Sequence, residues 1–248
     1  MFKLKTLFAA ILAASAAQAF ADNSNANVYQ NGTKHDAVVT QDGSLQTSAV
    51  VQYGSQNTAS TTQSGRGFLF LTSKNDSYVY QDGTKNEAVV DQTGGDHEVQ
   101  VKQWSDEQDA KVTQTGRNNT SYSEQYGGVK NSLTVEQSGT SDDSTVVQNG
   151  ERNSAKVAQD GLGGSVDLYQ AGYKNKADID QSGWGNDLVA DQFGSENFLE
   201  SSQTGSYSAG TVYQDGTANQ AYLTQAGFAD IATITQMGSA NMATVTQH

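Results

Sequence analysis

The most regularly spaced side chain in this sequence is a carboxamide. Gln30, Gln41, Gln52 and Gln63, then Gln81, Gln92, Gln103, Gln114 and Gln125, then Gln137, Gln148, Gln159, Gln170, Gln181, Gln192, Gln203, Gln214, Gln225, Gln236 and Gln247 follow one another at intervals of eleven, broken by one interval of eighteen (81 − 63) and one of twelve (137 − 125). An amide donates and accepts hydrogen bonds and does not titrate. Its repetition therefore points to stacked ladders of identical groups rather than to proton transfer or nucleophilic attack. A buried amide without a partner costs about 1 to 3 kcal/mol, and stacking identical amides along one axis removes that cost.

No other constellation in the chain supports a reaction. His35 and His97 fall five places after a repeat glutamine and His248 is terminal, so they read as turn residues rather than ligands. With no cysteine and no histidine pair at ligand spacing, a zinc site cannot be drawn. Asp42, Asp82, Asp160 and Asp215 directly follow a repeat glutamine, in turns where aspartate is ordinary. Serines are abundant but lack an activating histidine and acid, and the calcium-binding nonapeptide of other solenoids is absent. We expect no catalytic residue, no metal and no cofactor. The formal charge of −13 opposes nucleic acid binding, which needs a basic surface, and favours solubility before assembly.

The residues around each glutamine show what must position it. Two places after it stands a glycine in almost every unit, from Gly32 and Gly43 to Gly238, with Ser105 as the substitution; glycine there suits a turn requiring positive φ. Two places before it the residue is usually aliphatic (Val28, Val39, Val50, Val79, Leu168, Ile179), and four before it usually small (Ala26, Ala37, Ala59, Ala88, Ala177). Side chains alternate faces along a strand, so these positions and the glutamine share one face. Each unit is thus a strand of about six residues and a short turn, which buries its apolar face only by stacking on copies of itself. At double spacing a further pattern emerges: Asn57, Asn86, Asn131, Asn153, Asn175, Asn197, Asn219 and Asn241 mark alternate turns, whereas the intervening turns carry Gln46, Phe68, His97, Asn119, Asp142, Gly164, Asn186, Ser208 or Asp230. These asparagines either ladder like the glutamines or simply favour the turn. The expected fold is all-β: a two-sheet parallel, in-register β-solenoid of about ten strand-turn-strand rungs of about 22 residues, roughly 45 Å long.

Outward positions carry Thr, Tyr and charged residues. Lys102 is expected one rung from Glu124, and Lys156 one rung from Asp178. Sorting alternate units puts Tyr29, Tyr78, Tyr80, Tyr122, Tyr169 and Tyr213 outside one sheet, and Thr with Tyr222 outside the other. The tyrosine face is the candidate for lateral bundling or attachment. A different class, a monomeric solenoid that binds ice or polysaccharide through a Thr array, finds only Thr233 with Thr235 and Thr244 with Thr246, which fall on opposite sheets. The longer interval after Gln63 is an insertion at about residues 66–74 containing Phe68, Leu69, Phe70 and Leu71. It reads either as a looped-out docking patch or as a segment folded over the rod.

Residues 1–21 have the form of a signal peptide: Lys3 and Lys5, an apolar stretch from Leu7 to Ala17, and small residues allowing cleavage after Ala19 or, as we favour, Ala21. Residues 22–248 then form one exported repeat domain. No later stretch approaches the roughly 20 apolar residues that span a bilayer. Proline is absent, as an uninterrupted ladder requires. The repeats reach within a few residues of both ends of this region, so the rod is expected to expose unpaired strand edges, which template another chain.

The unit as a whole, glutamine, glycine two on, asparagine five on, alanine seven on and glutamine eleven on, is seen at Gln170, Gly172, Asn175, Ala177 and Gln181, and again at Gln214, Gly216, Asn219, Ala221 and Gln225. It resembles the repeat of the curlin family, the subunits of curli amyloid fibres on Gram-negative bacteria. The resemblance implies a secreted subunit polymerising with itself at the cell surface for biofilm matrix and adhesion, with a nucleator subunit and an outer-membrane secretion pore as partners. Family members carry a non-repeat leader ahead of the repeats, whereas Asn25 to Gln30 already reads as strand, which leaves the export route open. The final repeat, Ala226 to His248, lacks Lys and Arg and so resembles the fibre-forming subunit rather than the nucleator.

Overall fold

The computed structural model describes residues 23–65 and 74–248. The signal peptide and all of the 66–74 insertion except Lys74 lie outside these residues. Strands β1 (Asn25–Thr33), β2 (Asp36–Gly43), β3 (Thr47–Ser55), β4 (Thr58–Gly65), β5 (Asn75–Thr84), β6 (Glu87–Gly95), β7 (His97–Trp104), β8 (Asp109–Arg117), β9 (Thr120–Tyr126) and β10 (Ser132–Gln137) alternate between two sheets. The alternation continues through β11 (Asp143–Glu151), β12 (Ser154–Leu162), β13 (Ser165–Tyr173), β14 (Lys176–Trp184), β15 (Asp187–Ser195), β16 (Phe198–Gln203), β17 (Ala209–Thr217), β18 (Gln220–Gln225), β19 (Ile231–Ser239) and β20 (Met242–Gln247). Odd strands form one ten-stranded parallel sheet and even strands the other, each strand pairing with the next but one. The chain is thus a β-solenoid of ten rungs, as the repeat spacing requires.

Register is uniform. Glutamine lies on glutamine and aliphatic on aliphatic, as in Val146 on Leu168 and Gln148 on Gln170. The insertion between β4 and β5 leaves the register intact, since Gln52 still pairs with Gln81 and Gln63 with Gln92. Between the sheets lies one thin core in which Val50, Val79, Val90, Val112, Leu168, Ile179 and Leu199 are fully buried. Burial alternates strictly along the strands, which is the period-two pattern of the sequence made physical. The slab is too thin for large residues everywhere, so volume is compensated locally: Gly210 sits where an added Cβ would lie 2.7 Å from Leu223 Cδ2 and 2.9 Å from Leu188 Cδ1.

Stacked turns impose a second constraint. Gly32, Gly54, Gly83 and Gly172 have positive φ as expected, but Gly139, Gly161 and Gly205 do not. What these positions share is the approach of the rung above. A Cβ on any of them would collide with the backbone carbonyl oxygen of the residue stacked on it, so glycine is demanded by proximity first and by dihedral second. Two places later the chain enters the left-handed region with almost any residue: Lys34, Leu45, Gln56, Lys85, Arg152, Lys174 and Ala218 all have φ between 54° and 60°. That conformation costs an L-residue roughly 1 to 2 kcal/mol. It is held by an inter-rung bond, as where the Gln56 N–H donates to Thr33 O at 2.9 Å and the Lys174 N–H to Glu151 O at 2.9 Å.

Overpacking the slab tests this arrangement. Gly210→Val should lower stability by about 1 to 3 kcal/mol, read as a shift in the urea midpoint of the monomer, and adding Leu188→Ala to the same chain should recover part of the loss.

Candidate functional site: the amide ladders and the ends of the rod

Each repeat glutamine ends the inward face of its strand, beside the aliphatic residue two places earlier. In the odd sheet the Nε2 of Gln30, Gln52, Gln81 and Gln103 donates to the Oε1 of Gln52, Gln81, Gln103 and Gln125 at 2.8, 2.8, 2.8 and 3.0 Å. The ladder continues from Gln125 through Gln148, Gln170, Gln192 and Gln214 to Gln236. A parallel ladder in the even sheet runs from Gln41 through Gln63, Gln92, Gln114, Gln137, Gln159, Gln181, Gln203 and Gln225 to Gln247. The second amide hydrogen goes to a backbone carbonyl at the start of the preceding strand, as in Gln170 to Ser154 O at 3.1 Å and Gln192 to Lys176 O at 3.0 Å. Each buried amide is thereby satisfied both along and across the rod.

The asparagine turns form a third ladder with a different bond. The Oδ1 of Asn131, Asn153, Asn175, Asn197 and Asn219 accepts the backbone N–H of Asn153, Asn175, Asn197, Asn219 and Asn241 one rung up, while Nδ2 donates to the carbonyl four residues back, as from Asn175 to Ala171 O at 3.0 Å. Ladder and turn are one device. Asn57 serves Asn86, and Gln108, which the spacing of asparagines alone did not reveal, fills the rung between Asn86 and Asn131. On the opposite edge the place assigned to Phe68 belongs to Asn75, because the extra residues fall between Gln63 and that place in the sequence. There Asn75 Oδ1 accepts from His97 N–H, His97 Nδ1 from Asn119 N–H, Asn119 Oδ1 from Asp142 N–H and Asp142 Oδ1 from Gly164 N–H.

His97 and Asp142 are imperfect stand-ins for asparagine. His97 must be neutral to accept at Nδ1, with Nε2 donating to Thr93 O, and burial lowers its pKa. Asp142 Oδ2 is buried without a hydrogen-bond partner, and burial raises its pKa above the ordinary value despite N–H donors from Gly164 and neighbouring glycines.

The outer faces are unequal. On the odd sheet Tyr29, Tyr53, Tyr80 and Trp104 stack at successive rungs with ring centroids 5.6, 5.9 and 4.6 Å apart. Tyr169, Phe193 and Tyr213 repeat the arrangement at 5.5 and 5.7 Å, and Tyr126 follows Gln125 on the same outer face. The spine alternates between the residues before and after the glutamine, so sorting tyrosines by the strand residues alone missed Tyr53, Trp104, Tyr126 and Phe193. Tyr78 and Tyr122 stand in a neighbouring column, and Tyr122 donates to Glu124 Oε2 at 2.5 Å. Burial, with Glu124 beside it, pushes the Tyr122 hydroxyl up to about 12. Lys102 stands one rung from Glu124 in the register, as expected, with its ammonium over the Tyr122 ring at 5.1 Å. Lys156 does meet Asp178, at 3.8 Å. The even face also has Phe198 against Tyr222 at 5.7 Å.

At the two ends the ladders are chemically opposite. On the first described rung, Gln30 and Gln41 point amide oxygens away from the rod. On the last, Gln236 and Gln247 each spend one hydrogen on Gln220 O or Ile231 O and aim the other outward. The half-buried Val28, Ala37 and Val39 at one end and Ala243 and Val245 at the other continue the core pattern.

Three stretches match the curlin associated repeat. They are residues 75–103, 128–161 and 165–194, less than half of the chain, and they support kinship with the curlin family. Comparison with curated proteins gave no match. The matched stretches contain nine of the twenty ladder glutamines and four of the eight turn asparagines together with inward aliphatic positions, so within them the family pattern coincides with the residues that join rung to rung. Among the described residues no helix is long and apolar enough to cross a membrane.

Replacing Gln170 and Gln192 together by Leu strands Gln148 Nε2 and Gln214 Oε1 and the carbonyls of Ser154 and Lys176. Monomer stability should fall by about 2 to 5 kcal/mol, from unsatisfied groups at about 1 to 3 kcal/mol each, whereas exposed Glu200→Ser should stay within about 0.5 kcal/mol. The pH profile tests the other ladder. The stability that Asp142 contributes through its raised pKa is complete below the unfolded value of 3.8 and lost as pH rises through the folded value, so Asp142→Asn should stabilise the rod at pH 7 and flatten its acid gain. His97 has the opposite sign. Its lowered pKa makes stability fall as pH drops below 6.5, and His97→Asn should remove that loss. Denaturation midpoints between pH 3 and 8 would expose either error.

Proposed function

We propose that this protein is the subunit of an extracellular, curli-like amyloid fibre, built by stacking the last rung of one copy on the first rung of the next. The observation that carries the reading is the match between the two ends. Extending the register sets Ala232, Ile234 and Gln236 over Ala26, Val28 and Gln30, and Ala243, Val245 and Gln247 over Ala37, Val39 and Gln41. Apolar meets apolar, and outward amide hydrogens meet outward amide oxygens. Reversing one copy would oppose oxygen to oxygen, so the fibre is polar. The role is structural rather than catalytic, and the curlin resemblance extends it to biofilm and adhesion at the bacterial surface, with a nucleator subunit and an outer-membrane pore as accessory partners. A Thr-faced surface binder is not favoured, because Thr233 and Thr235 lie on β19 and Thr244 and Thr246 on β20, in different sheets.

Purified protein lacking residues 1–21, at micromolar concentration, should form unbranched fibres with a meridional reflection at about 4.8 Å. Gln30→Leu with Gln41→Leu should slow elongation while leaving the monomer folded. A monomer stable for days would overturn the reading, and elongation indifferent to both substitutions would overturn the joint.

A further inference from the structure

The edge of the rod that follows the even strands carries a feature the repeat does not need. Leu162, Trp184, Tyr207 and Phe228 occupy four successive rungs there, 45%, 58%, 56% and 75% exposed. They form a ridge rather than isolated groups. Tyr207 meets Phe228 edge-on at 5.6 Å, and its ring covers Gly185, where even a Cβ would lie 3.0 Å from it. Backbone bridges link Thr140 to Leu162 and Trp184 through Ser206 to Phe228. Three rung spacings make the ridge about 14 Å long, and contiguous apolar surface of this kind marks an interface.

We infer that the ridge is the lateral docking surface for residues 66–73 of a second copy, so that two fibres pair edge to edge; this rests on the end-to-end fibre proposed above. That segment leaves β4 and returns to β5 on the same edge, and it contains Phe68, Leu69, Phe70 and Leu71. Charge is complementary. Arg66 and Lys74 bracket the apolar run, whereas beyond Lys176 the chain has no Lys or Arg, and Asp160 and Asp230 flank the ridge.

Reach excludes the segment's own copy. Eight residues anchored at both ends extend at most about 13 Å, while Leu162 lies four rungs, about 19 Å, along the axis from the end of β4, and the other ridge residues lie farther. The copy stacked axially on the Phe228 end starts its segment three rungs, about 14 Å, beyond that residue, which is also out of reach. A neighbouring fibre has no such limit. Segment and ridge are separated by about half of the ten-rung repeat, so two parallel fibres related by a half turn and a stagger of about 24 Å place each segment on the other's ridge. The contact is reciprocal and closed, as a twofold interface must be.

The native chain has no cysteine, so crosslinking is clean. Phe70→Cys and Tyr207→Cys copies, mixed in equal amounts and assembled, should on mild oxidation give about fivefold more disulfide dimer than either variant alone. Trp184→Ser with Phe228→Ser should elongate at the wild-type rate but yield single filaments instead of pairs in electron micrographs. Absence of extra dimer in mixed fibres, persistent pairing of the double-serine variant, or a disulfide within one soluble chain carrying both cysteines would each overturn the proposal. If single filaments form but do not pair, only this inference fails; if no filaments form, the fibre reading fails with it.

Discussion

The backbone hydrogen bonds of a rung in this protein run to other rungs. Its strands bond only to the strands of the rungs above and below, its glutamines bond to glutamines one rung away, and even the strained left-handed residue of each turn is held by a carbonyl of the preceding rung. The strand backbone and the ladder glutamines of the thin core are therefore a demand for another rung. Among the described residues nothing closes the rod, and its first and last rungs still present the same unfilled groups. The proposed polymerisation is in this sense the internal bonding rule applied once more across a chain boundary.

The direction of the amide bonds adds something that cross-β stacking alone does not supply. Backbone ladders between parallel strands donate and accept at either end, so they tolerate mistakes in polarity better than a side-chain ladder in which every Nε2 points the same way. Two such ladders and the asparagine column, whose carbonyl oxygens point up the axis while the glutamine nitrogens do so, make the ends complementary rather than merely similar. An isolated neutral hydrogen bond is worth about 1 kcal/mol net, yet several reversed at once leave buried acceptors facing each other. The penalty for a wrong joint therefore exceeds the gain from a right one, which is the usual source of specificity at a buried polar contact.

Most of this architecture was legible because the spacing of Gln and its neighbours is a direct image of the rung. Parity along the strand told inward from outward, and double spacing told one edge from the other. What the sequence hid lies where stacking, not residue type, dictates geometry. The left-handed position holds Lys, Leu, Gln, Arg, Ala and Glu indifferently, since an inter-rung bond enforces the dihedral that propensity would refuse. Asn75 was masked by the insertion that separates it from Gln63, and Gln108 by the expectation that only Asn can serve the column. The aromatic spine escaped because its members alternate across the glutamine, so neither position alone shows a run. The ridge escaped because its residues lie in turns, outside the strand positions that the repeat made visible.

Stacking like upon like has an electrostatic cost that the ladder must carry. Asp109 sits over Glu87 in the register and Asp191 beside Asp167, and in both cases burial first and the neighbouring carboxylate second hold the acid above its ordinary range. The chain's formal charge of −13 keeps separate copies apart in solution and opposes their stacking by the same repulsion. Its cations are arranged to relieve this locally: Glu107 meets Lys85 at 3.8 Å and Lys130 at 3.3 Å on adjacent rungs, and Lys174 meets Glu196 at 3.8 Å. These are exposed pairs worth little each. Their significance is positional, because each joins residues one rung apart in the column of left-handed turn residues, and so the weak surface charges mark the register that the buried amides hold.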